Sequence, residues 1–152
     1  MSTVMNVLHI AGAVFIIGPM AVLPMTAMRS LRAGSASEVV DLTKSTQVFS
    51  LLSLVVAFFG FGALGMSDPE DHFTFTSPWV LISVILYAAA VLLSLFLVVP
   101  AMRRASAQIG GSSSSADAGA KGSDNGYAAV AASSGVVSLL LVIIVVLMVW
   151  KP

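Results

Sequence analysis

The chain has 152 residues, 58% of them hydrophobic and 9% charged, with seven basic and seven acidic residues summing to a formal charge of zero and a mean hydropathy of +1.02. A soluble domain does not have this composition, and a neutral chain offers no electrostatic footprint for nucleic acid. The absence of cysteine excludes disulfides, thiolate metal sites and redox thiols.

Four stretches, 1–28, 45–67, 73–102 and 125–150, contain no Asp, Glu, Lys or Arg. Each is long enough to cross a hydrocarbon core of about 30 Å at about 1.5 Å per helical residue. The stretches are continuously apolar instead of alternating, and lipid requires every backbone group to be bonded within its own segment, so they are read as helices and not barrel strands. The expected fold is an all-α polytopic membrane protein, a single membrane domain over 1–152 with spans at about 4–28, 46–66, 78–100 and 127–150, arranged as two helical hairpins. Little chain is left for a catalytic domain outside the bilayer.

Span one opens without Lys or Arg and is too long for a signal-peptide core, so it is expected to be retained. Gly18, Pro19 and Pro24 interrupt it. Each proline removes a donor and clashes with the carbonyl four residues earlier, at Phe15 and Met20, which predicts a kink. His9 lies before this kink, on one helical face with Gly12, Ile16 and Pro19. Two readings compete for it: a ligand to haem or metal or a hydrogen-bond partner of a quinone, and a neutral histidine bonded to a neighbouring carbonyl or hydroxyl.

Arg29, Arg32 and Lys44 follow span one, and Arg103, Arg104 and Lys121 follow span three. The positive-inside rule places both loops in the cytoplasm and both termini outside, in the cell's inner (plasma) membrane. Ser67, Asp68 and Pro69 should stop span two. The loop after it carries Asp68, Glu70, Asp71 and His72, a spacing that fits no established metal loop and reads as a solvated acidic turn. Ser77, Pro78 and Trp79 look like an N-cap, a first-turn proline and an interfacial aromatic opening span three, and Trp150 is the matching anchor closing span four. Residues 105–126, rich in Gly, Ser and Ala, read as a flexible linker. The methionines and the phenylalanines near residue 60 read as packing residues, not as a copper or ligand site.

The halves of the chain resemble each other. Pro24 precedes Arg29 and Pro100 precedes Arg103, each near the end of an odd span. The even spans carry small-residue stripes, Ser50, Ser53, Ala57 and Gly60 in span two and Ala128, Ala131, Gly135 and Ser138 in span four, with the same offsets of three, seven and ten residues. Such stripes let helices approach closely in lipid.

At Leu8-His9-Ile10-Ala11-Gly12-Ala13, Gly18-Pro19-Met20, Met28-Arg29-Ser30-Leu31-Arg32-Ala33-Gly34 and the terminal Val146-Leu147-Met148-Val149-Trp150-Lys151-Pro152, the chain resembles small integral membrane proteins of unknown function from actinobacteria. The Leu-His-x-x-Gly opening is also similar to that of the copper-resistance D and haem-biosynthetic protoporphyrinogen oxidase membrane families. There an early-helix histidine can ligate haem, a role that the resemblance would assign here to His9. Taken together, the expectation is a non-enzymatic accessory subunit, without a cofactor of its own, bound by lipid and by a larger membrane complex such as a respiratory cytochrome assembly. The alternatives are a haem-binding or redox protein using His9, and a small-molecule permease formed by oligomerisation, although the spans lack the embedded carboxylate on which such small transporters depend.

Overall fold

The structure, a computed structural model, describes residues 2–66, 77–111 and 119–150, the last from 119 to 125 as backbone alone. The acidic turn with Asp68, Glu70, Asp71 and His72 lies outside the described residues, as does the side chain of Lys121. All the described elements are helical, and four helices are long and apolar enough to cross a membrane, as the charge-free stretches predict. Span one is built of α1 (Ser2–Gly12), a π turn π1 (Ala13–Ile17) and α2 (Gly18–Arg32); span two is α3 (Ala36–Gly65). Span three is α4 (Pro78–Leu93), a π turn π2 (Ser94–Val98) and α5 (Val99–Gly111), and span four lies in α6 (Gly119–Trp150).

The helices run past the apolar stretches at the arginine-bearing end. α3 starts at Ala36, ten residues before the expected boundary, because Val39, Thr43 and Thr46 are buried at helical spacing while Glu38, Asp41 and Lys44 are exposed. That is an amphipathic extension of about 15 Å beyond the expected span. The residues read as a linker over 105–126 are likewise helical over 105–111 and 119–126. Ala105 and Ser106 are buried, and Gly126 is so close that a Cβ on it would stand 3.2 Å from Ala105 Cβ. Alanine favours helix, and this close contact between the facing segments holds what a Gly and Ser composition alone would leave loose. Between α2 and α3 the turn is made by Gly34, whose φ of 73° is the left-handed conformation that glycine adopts without strain.

The interruption expected in span one takes the form of a widened turn. In π1 the Gly18 N–H bonds Ala13 O, and in π2 the Val99 N–H bonds Ser94 O, both five residues back. Each π turn ends two residues before a proline, Pro19 or Pro100. A proline ring displaces the carbonyl four residues earlier, and widening the preceding turn absorbs that displacement. The sequences align residue for residue: Ala13-Val14-Phe15-Ile16-Ile17-Gly18-Pro19 against Ser94-Leu95-Phe96-Leu97-Val98-Val99-Pro100. The internal correspondence therefore pairs Pro19, not Pro24, with Pro100, correcting the register read from the arginines. Pro24 sits buried inside α2.

Spans one and two form one hairpin, and spans three and four another. α1 lies on α3, α4 lies on α6, and the extensive contacts between hairpins come from α2 against α6 and α5 against α3. The main core sits among these segments, around Met20, Ala27, Val98, Met102, Ala105 and Val130, all buried. In lipid, where apolar contact brings no water-driven gain, close van der Waals fit and interhelical hydrogen bonds hold such a core together.

Candidate functional site

Three groupings of polar side chains lie on this frame. The first is centred on His9. Its Nδ1 lies 2.9 Å from Val56 O on α3. A carbonyl only accepts, so Nδ1 carries the proton and, in the neutral ring, Nε2 is left as an acceptor. The ring lies against Gly60: a Cβ there would stand 2.7 Å from His9 Cε1 and 2.8 Å from Nδ1. A Cβ on Gly12 would stand 3.0 Å from Val56 Cγ2. Gly12 and Gly60 thus clear the approach of α1 to α3, and the face that carries His9 and Gly12 is the one turned to span two.

The second grouping links spans two and three in mid-bundle. Ser50 Oγ lies 2.8 Å from Ser94 Oγ, and Ser53 Oγ lies 2.8 Å from Tyr87 Oη. Ser50 Oγ also donates to Thr46 O and Ser53 Oγ to Ser50 O, at 2.7 Å each. Every one of these hydroxyls has a partner inside the protein, as burial in lipid demands. Sequence reading placed Ser50 and Ser53 on a packing face, and both are buried, with Ala57 and Gly60 half-buried. It missed their partners. The signal was present: Ser83, Tyr87 and Ser94 are spaced by four and eleven residues, one helical face in an otherwise apolar span.

The matching stripe on span four does not face the other helices in the same way. Ala128 and Gly135 are exposed, and a Cβ on Gly135 would meet nothing within 4 Å. Ala131 and Ser138 are half-buried. The buried face of α6 is instead Gly126, Val130, Ser134, Val137 and Leu141, a row in which one glycine is followed by larger side chains.

The third grouping is at the arginine-bearing end. Arg29, Arg32, Lys44, Arg103 and Arg104 are all exposed there. Arg32 reaches Tyr127 and Arg103 reaches Gln47, and Lys44 pairs with Asp41 at 3.7 Å. Among the described residues no three His, Cys, Asp or Glu side chains come together as a metal site would require.

A family model described as a predicted integral membrane protein (DUF2269) matches residues 3–152. No curated protein and no solved structure matches the chain. The protein therefore belongs to the DUF2269 family of predicted integral membrane proteins, and its four apolar helices make it multi-pass.

Proposed function

We propose that this protein is a non-enzymatic accessory subunit, docking onto the transmembrane helices of a larger membrane complex, with its arginine-bearing end in the cytoplasm and both termini outside the plasma membrane. The observation that carries this reading is the repeated π turn. At equivalent places in spans one and three it presents Phe15 and Phe96, 76% and 71% exposed, on the outer surface of the bundle. Pro19 and Pro100 have no N–H, so the carbonyls of these same two residues lack their usual helical donor. In lipid such carbonyls are satisfied by local adjustment of the helix or by a donor from a neighbouring helix, and π turns often mark functional positions. A respiratory cytochrome assembly is the first partner to seek. Placing a photo-crosslinking residue at Phe15 or Phe96 in native membranes tests the proposal. A discrete adduct with one other membrane protein supports it, and adducts with lipid alone at both positions refute it.

The alternative reading rests on His9. A histidine that donates Nδ1–H to a backbone carbonyl has the orientation of a metal-bound imidazole, with Nε2 as the ligating atom. His9 would supply one axial ligand to a haem, or an acceptor to a quinol hydroxyl. A Soret band in the purified protein that vanishes in His9→Ala would favour this reading over the first.

A further inference from the structure

At the arginine-bearing end, the two seams between the hairpins are each closed by a guanidinium. Arg32, the last residue of α2, crosses to span four: its guanidinium lies 4.6 Å from the centre of the Tyr127 ring, and Nη2 donates to Tyr127 Oη at 2.6 Å. Arg103, in α5, crosses to span two, where Nη2 donates to Gln47 Oε1 at 2.7 Å. Both acceptors are neutral and both arginines are exposed, so each charge is held in position and, among the described residues, is paired with no carboxylate. Arg29 and Arg104, also exposed, add a second cation near each seam. Among the described residues the ion pair formed is Lys44 with Asp41, and none of these four arginines takes part in it.

An exposed apolar stripe leads away from each seam. On α2, Val22, Met25, Arg29 and Arg32 are spaced by three, seven and ten residues along one face, and Val22 and Met25 are exposed. On α3, Leu51, Val55 and Phe58 follow Gln47 by four, eight and eleven residues and are exposed as well. Each seam thus combines a guanidinium fixed by a neutral partner at the end of a span with an apolar stripe running away from it into the bilayer. A guanidinium fork matches phosphate oxygens, and the stripe matches an acyl chain.

We propose that these two seams are binding sites for anionic phospholipid, with a headgroup phosphate on Arg32 or Arg103 and an acyl chain along the adjoining stripe. The lipid, not free phosphate, is the ligand, because only the lipid uses both halves of each seam. This proposal is independent of the accessory-subunit reading.

Native mass spectrometry of the full chain in mild detergent, titrated with phosphatidylglycerol or phosphatidylcholine, tests it. Two phosphatidylglycerol molecules should bind per chain in preference to phosphatidylcholine, and soluble glycerol phosphate should not displace them. R32Q and R103Q should each weaken one site about fivefold, the equivalent of ~1 kcal/mol per basic residue, and the double variant should lose the preference, whereas K44Q should not. Equal binding of the two lipids, displacement by glycerol phosphate, or an unchanged double variant would overturn it. Should R32Q fail to fold, R32K keeps the charge but not the fork; it should lower the preference for phosphatidylglycerol, and an unchanged preference would count against the site.

Discussion

Gly60→Ala is the substitution whose consequence the structure defines most closely. The new Cβ would stand 2.7 Å from His9 Cε1 and 2.8 Å from Nδ1, distances that real Cβ atoms do not tolerate, so the imidazole must move and its bond to Val56 O is lost. Overpacking of this kind costs about 1–3 kcal/mol, and an interhelical hydrogen bond in a membrane adds about 0.6 kcal/mol. The gain in helix propensity, about 1 kcal/mol, offsets part of this. The net expectation is a destabilisation of about 1–2 kcal/mol. Reversible unfolding in mixed micelles measures it, and a double-mutant cycle assigns its cause. In a His9→Ala background the ring is absent, so Gly60→Ala should become neutral or stabilise by up to about 1 kcal/mol. A wild-type response to Gly60→Ala, or the same loss with and without His9, would refute the argument.

The other glycines should respond differently in the same assay. Gly135→Ala adds a methyl group where nothing lies within 4 Å, so it should be neutral or stabilising by up to about 1 kcal/mol. Gly126→Ala would bring a Cβ to 2.8 Å from Gln108 Oε1 and 3.2 Å from Ala105 Cβ; the glutamine can swing away but the alanine cannot, and a loss of about 1 kcal/mol is expected. Ser94→Ala removes one hydroxyl from the Ser50 pair and should lower stability by about 0.6 kcal/mol, less than Met102→Ala, which empties a fully buried position at a cost of about 2–5 kcal/mol. Equal losses for Ser94→Ala and Met102→Ala would contradict the placement of the core.

The spans were readable because lipid enforces a simple rule: charge is excluded over about 20 residues, and a long apolar helix covers most of each charge-free run. The ends were harder, since Glu38, Asp41 and Lys44 stop a hydropathy-based reading although Val39, Thr43 and Thr46 carry the helix on beneath them. The repeat was visible but misaligned. Arginines near the helix ends suggested Pro24 and Pro100 as equivalents, whereas backbone mechanics at the proline pair Pro19 with Pro100, and the aligned Phe15 and Phe96 were there to be seen. The small-residue stripe worked for Ser50 and Ser53, which have polar partners on span three, and failed for Gly135, because small size permits close packing without requiring it. His9 could be placed on a face with Gly12 from spacing alone. Its bond to Val56 O depended on the register between two helices, which one helix's sequence does not specify.

Purification from native membranes in mild detergent, with the co-purifying proteins identified by mass spectrometry, tests the accessory-subunit reading most directly. Recovery in fixed stoichiometry with the subunits of one membrane complex, reduced when Phe15 and Phe96 are both replaced by alanine, is the predicted result. Recovery of the chain alone from membranes that retain their large complexes intact would contradict it.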